Sequence, residues 1–364
     1  KYRVMTHTKT QTTQYGITLV ELMVAMVIGL LLAAGISQVF VSSQQTYRIT
    51  EEQSRLQENA RFALEFITRD VREAGYTGCR AIEEMNVQTV ANAPVPNYTE
   101  NSIINGNEAT SATVWAPALN ASISGSVVGG TDTITIQKGS SCGATLITPM
   151  TISSANIKVS SPNSCNLTAG DALMISDCQD AHIFRAGTVS NGTGSQTIPH
   201  PASNNTGTHF CINQAGIGTG SCGTANAKLY GADSELLQFT SLTYFIRQGA
   251  GGRNALWVFD NTEAASAQNP MELIEGVEDM QVTYGVDTTG DDIVDAYQTA
   301  NTVNAATNWI NVISAEISLL VETQDDNLTT DNMTYTYNGA TVTSADNRLR
   351  RVFTTVIGIR NRVQ

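Results

Sequence analysis

Between Lys9 and Arg48 only one residue carries a formal charge: Glu21, five positions after Gly16, at the head of an apolar run that continues to Ile36. A carboxylate alone near the middle of a bilayer costs roughly 2.5–3.5 kcal/mol on insertion scales, so an acid in such a segment calls for a cationic partner. Lys1, Arg3 and Lys9 precede the run and no base follows until Arg48. The positive-inside rule then places residues 1–16 in the cytoplasm and the remainder outside. A secretory signal peptide has its small-residue cleavage site after the apolar core. Here the small residue, Gly16, stands before it.

Helical periodicity outlasts the apolar run. Leu56, Ala60, Ala63, Ile67, Val71 and Ala74 follow in steps of three and four, with charged residues between them, the pattern of an amphipathic helix. No proline interrupts residues 17–74 and Gly75 offers a stop. One helix over this span would measure roughly 85–90 Å, far more than a bilayer core of about 30 Å, so its second half must pack on something soluble. Ala25, Gly29 and Ala33 form a small-residue stripe at i, i+4, i+8 that lets another helix come close. From Cys79 onward the period changes to two. Strands are expected over 131–137, 172–176, 237–245, 255–259, 280–284, 315–321 and 352–359. Residues 86–129 and 189–226, rich in Gly, Ser, Thr and Asn, are expected to be long surface loops, and 272–280 to open as a short helical or irregular turn.

The charge balance, 33 acids against 20 bases for a net −13, argues against general nucleic-acid binding. The local exception is the tail, where Arg348, Arg350, Arg351, Arg360 and Arg362 occur without an acid; a solvated or internally paired strand face is the expectation there. Six cysteines, none in the helix, imply disulfides in an oxidising compartment. Of fifteen connectivities, the pairing expected is Cys211 with Cys222 across a Gly-rich loop, Cys142 with Cys165, and Cys79 with Cys178. The stretch from Asp287 to Asp295 could hold Ca²⁺ through Asp287, the Thr289 hydroxyl, Asp291, the Ile293 carbonyl and Asp295, although Gln298 stands where a twelfth-position Glu would close the shell. The competing reading is an acidic hairpin turn. No other cofactor is expected. His182, His200 and His209 are scattered and read as surface residues, Trp115, Trp257 and Trp309 read as core or interface anchors, and no nucleophile elbow or P-loop is present. Nothing points to an enzyme.

Gly16-Ile17-Thr18-Leu19-Val20-Glu21 resembles the type IV prepilin motif, with Ile17 where that family usually has phenylalanine. The resemblance implies that a membrane prepilin peptidase cuts after Gly16 and methylates Ile17. It also implies that Glu21, fifth in the mature chain, neutralises the amino terminus of a neighbouring subunit. Self-neutralisation by Ile17, one turn away, is the alternative. Arg55-Leu56-Gln57-Glu58-Asn59-Ala60-Arg61-Phe62-Ala63-Leu64, Arg69-Asp70-Val71-Arg72-Glu73-Ala74-Gly75, Ser176-Asp177-Cys178, the stretch from Leu273 to Asp287 and the Arg351 to Arg362 ending look like the PilW minor pilins. That family implies an α+β, type IV pilin-like fold, with a long N-terminal helix packed on a mainly antiparallel β domain. The corresponding division is 1–16 leader, 17–41 membrane half of the helix, 42–76 amphipathic half, and 77–364 body. It further implies a role in priming pilus assembly at the fibre tip, in support of twitching motility and adhesion. The partners implied are other minor pilins, the major pilin, a tip adhesin of PilY type, the assembly platform and the peptidase. The implied location is the inner membrane with the body in the periplasm, then the cell surface. A type II secretion pseudopilin of the GspJ kind and a membrane-anchored tip adhesin are the alternatives.

Overall fold

The computed structural model describes residues 16–212, 222 and 226–362; residues 1–15 of the expected leader lie outside them, as does most of the loop between Cys211 and Cys222. The chain divides into two units, Lys1–Gln53 and Ser54–Gln364.

Helix α1 (Leu19–Arg72) is continuous over 54 residues. It ends where expected, with Gly75 at φ +79°, a conformation that glycine adopts without a Cβ penalty. Its predicted apolar stripe is the buried one: Leu56 is 3% exposed, and Ala60, Ala63, Ile67, Val71 and Ala74 are fully buried. The alanines let the strands beneath approach closely, and the branched side chains fill the spaces between.

Below that stripe lies a nine-stranded sheet. Its members are β1 (Asn86–Thr89), β2 (Ile104–Ser111), β3 (Val114–Ala116), β4 (Thr133–Thr145), β5 (Ala172–Ser176), β6 (Asp180–Arg185), β7 (Glu235–Gln248), β8 (Asn254–Asp260) and β9 (Met271–Glu275). Only β1 and β6 pair in parallel. The long β7 is the spine: β4 runs along one edge, while β5 takes the beginning of the other edge and β8 its end. A second, fully antiparallel sheet has the order β11 (Ala296–Thr299), β10 (Val277–Val286), β12 (Val312–Glu322), β13 (Arg350–Gly358). Alternation along β10 and β12 buries Met280, Val282, Tyr284, Ile317 and Leu319 in the same core as the helix stripe. The run Ala-Leu-Met-Ile-Ser in β5 is buried throughout: Ala172 and Met174 face that core, while Leu173 and Ile175 face a second one with Phe184, Phe210 and Tyr230.

Three expectations need correction. The 86–129 region is not a loop, since it contributes β1, β2 and β3, with Tyr98, Ile103 and Ile104 buried. Region 189–226 supplies strands Ser190–Gly192 and Ser195–Ile198, which join Ile157–Ser160 in a small sheet. The 272–280 segment is neither helical nor irregular; it is two strands, β9 and β10, hinged at Gly276 with φ +87°.

Candidate functional site

In the first unit the described residues from Gly16 to Tyr47 are exposed, and the helix they open is long and apolar enough to cross a membrane. Thr18 precedes the helix, and its hydroxyl accepts the N–H of Glu21 at 3.3 Å. That satisfies one of the donors every helix leaves open at its N-terminus, and an acid in the first turn also suits the helix dipole. This local role for Thr-x-x-Glu was readable in the sequence as a capping pattern. Ala25, Gly29 and Ala33 are exposed, and a Cβ built on Gly29 would meet nothing within 4 Å. Ile17 is 74% exposed. Among the described residues, the carboxylate, the small-residue stripe and the apolar surface thus meet no partner.

In the second unit, the end of the helix is held by a polar node. Asp70 on α1 is 1% exposed. It accepts from Lys138 of β4 at 2.9 Å and from the Tyr244 hydroxyl of β7 at 2.5 Å. Glu73 takes a second bond from Lys138 at 2.5 Å. Burial and the Asp70 charge beside it both push the Tyr244 phenol upward, so it remains a donor. A cation, an anion and a hydroxyl, each costly to bury alone, are tolerable together. The chain end closes on the same helix terminus, with Asn361 Nδ2 donating to the carbonyls of Glu73 (3.3 Å) and Ala74 (2.9 Å).

Disulfides join Cys79 to Cys178, Cys142 to Cys165 and Cys211 to Cys222. The first ties the segment after α1 to the turn between β5 and β6. The last lies beside a buried cluster that contradicts the surface reading of the histidines. His182 is fully buried, with Nδ1 2.6 Å from the Tyr230 hydroxyl and Nε2 2.9 Å from the Cys211 carbonyl. Burial pushes it down to about 4. His200 is buried and stacks on Phe210 at 4.4 Å, and His209 Nδ1 lies 2.9 Å from Ser153 Oγ. His182 occupies an alternate position on β6 that faces the second core; its partners come from 29 and 48 residues away and left no local signal. Trp309 is a core residue, edge-on to Tyr284, whereas Trp115 and Trp257 are partly buried.

The loop of Asp287, Thr289, Asp291, Ile293 and Asp295 folds on itself. Asp287 accepts the backbone N–H groups of Thr289, Gly290 and Asp292, while Asp295 accepts both the N–H and the hydroxyl of Thr288. The Thr288 bonds hold Asp295 below its ordinary range. Thr289 spends its hydroxyl on Asp287 and Asp291, and Ile293 donates its N–H to Asp291. Among the described residues no group of three His, Cys, Asp or Glu side chains is arranged to hold a metal ion. Two of the tail arginines are buried and paired: Arg350 with Glu278 (2.6 Å), Glu322 (3.1 Å) and Asp346, and Arg362 with Glu83 (3.0 Å). Arg348 donates to the Thr323 carbonyl at 2.9 Å, while Arg351 and Arg360 are exposed.

Residues 12–37 match the family model of the prokaryotic N-terminal methylation motif, and residues 243–361, from within β7 through β13, match that of type IV pilus-assembly protein W. No curated protein matches the chain. Among solved structures, a type IV-like pilin from Thermus thermophilus is similar at 12% identity, over 55% of this chain and 87% of its own, with a TM-score of 0.22. At that score the two sequence matches carry the comparison by themselves.

Proposed function

The chain is a PilW-family minor pilin of the type IV pilus, and on that premise we propose that it is cut after Gly16, inserted in the inner membrane with its body in the periplasm, and recruited with other minor pilins to start a fibre. The observation that carries this is the motif over residues 12–37 heading a helix whose apolar surface, Glu21 and Ala25-Gly29-Ala33 stripe all lack partners among the described residues. Pilins are structural proteins, and their work is assembly. Glu21 pairs with the methylated amino terminus at Ile17 of a neighbouring subunit, because each charge is too costly to bury alone. The major pilin and a tip adhesin then meet this subunit at the fibre end, after the assembly platform has lifted it from the membrane.

The test is Glu21→Val in the full chain. Removing the charge makes the segment more apolar, so membrane insertion should persist while co-purification with other minor pilins falls and surface pili become fewer. Undiminished recovery of the complex and normal pilus numbers would overturn the pairing role. In the strain lacking the protein, normal pilus numbers would overturn priming.

A further inference from the structure

This acidic protein matches most of its buried and half-buried arginines with carboxylates. Besides Arg350 and Arg362, Arg253 reaches Glu275 (3.4 Å) and Arg185 reaches Glu263 (3.1 Å). Four exposed arginines depart from the pattern and stand together. Arg61, Arg69 and Arg72 lie on α1, and Arg360 is brought beside them by the chain end, its N–H donating to the Arg72 carbonyl at 3.2 Å. With Phe62 and Phe66 they line an open groove of about 730 Å³. Arg61 lies over the Phe62 ring at 5.2 Å. Arg69 has only a 3.5 Å contact with Asp70, a carboxylate already held by Lys138. Arg72 and Arg360 make no ion pair among the described residues.

The helix dipole favours bases in the last turn, which accounts for Arg69 and Arg72. It does not account for Arg61, about three turns earlier, for Arg360 from the far end of the chain, or for Phe62 left 38% exposed among them. A half-apolar strip flanked by guanidiniums is complementary to a segment that is itself half apolar and acidic.

We propose that this groove docks an acidic, amphipathic segment of a neighbouring pilin subunit, its carboxylates meeting the four arginines and its apolar side covering Phe62 and Phe66. The proposal rests on the minor-pilin reading. Glu65 and Glu73 line the same groove and favour a protein over a nucleic acid, because a duplex would set its unbroken row of phosphates against both. A protein segment can set donors there instead. Guanidiniums also suit carboxylates geometrically, through paired N–H bonds.

The experiment places the photo-crosslinker p-benzoylphenylalanine at position 62 of the full chain, in cells co-expressing the other pilins, and maps the adduct by mass spectrometry. In parallel, Arg61→Glu/Arg72→Glu/Arg360→Glu is tested for recovery of the cross-linked pilin. All three positions are exposed, so the melting temperature should hold while recovery falls about tenfold or more, and reversing the acids of the mapped segment should restore it. The proposal is overturned by a cross-link to a surface without acids, by unchanged recovery in the triple variant, or by duplex DNA binding that the triple variant abolishes. If the wild-type chain recovers no pilin at all, the minor-pilin reading falls with it. If wild type and triple variant recover pilins equally, the groove alone is refuted.

Discussion

Replacing Lys138 by Met tests whether the Asp70 node holds the helix to the sheet. Methionine keeps most of the aliphatic volume of lysine and removes the ammonium. Asp70, 1% exposed, is then left with the Tyr244 hydroxyl at 2.5 Å and the loose Arg69 contact at 3.5 Å. Breaking a buried pair from one side costs about 3–5 kcal/mol, because the remaining charge is neither solvated nor compensated. At roughly 2–4 °C per kcal/mol for a large domain, the detergent-solubilised chain should melt about 6–20 °C lower. Lys138→Met combined with Asp70→Asn leaves no orphaned charge and should recover most of the loss. Calorimetry on the two single variants and the double gives the coupling directly. A single variant within about 1 kcal/mol of wild type, or a deficit that the double variant does not relieve, would refute the reasoning.

Burial raises Asp132 to about 7, against the opposing N–H bonds from Val282 and Ala109. A raised acid contributes stability that is full below its ordinary value of 3.8 and lost as pH climbs through 7; the wild-type slope across that window, read by denaturant titration, should be missing in Asp132→Asn. His182, depressed to about 4, has the opposite sign: its stability is present above 6.5 and lost as pH falls to 4, so His182→Gln should flatten the acid side. Cys79→Ser with Cys178→Ser opens a loop closed over 99 residues and should cost about 4 kcal/mol in the oxidised protein, measured against the same protein under reductant, where the gap should close. Millimolar Ca²⁺ should leave the melting temperature unchanged, because the Asp287 and Asp295 carboxylates already accept loop donors; a rise that disappears in Asp287→Ala would establish a site.

What could be read in advance follows from range. The α1 stripe needs only neighbours three and four apart, so Leu56 to Ala74 announced their own burial. The β5 run was legible for the same reason: five successive residues, four of them apolar, can hardly be anything but a strand inside a core. Strand β2, Ile-Asn-Gly-Asn-Glu-Ala-Thr-Ser, has almost no apolar alternation and is a strand because β4 lies beside it. His182 is buried because a phenol and a carbonyl from elsewhere in the chain satisfy both ring nitrogens. The cationic groove depends on Arg360 meeting Arg72 across nearly the whole length of the body, a proximity no local pattern encodes.

The Cys79–Cys178 bond also determines how the molecule stretches. A fibre that is pulled loads its subunits, and the load enters each along its helix. Cys79 lies just beyond the end of α1, so tension between the helix and any point after Cys178 passes through the sulfurs and bypasses the residues between them. Fully drawn out, with the Cys142–Cys165 loop inside it still closed, that stretch would reach roughly 260 Å. The bond withholds that slack: β1 to β5 cannot be reeled out one after another, and a subunit under strain either holds its length or gives way elsewhere.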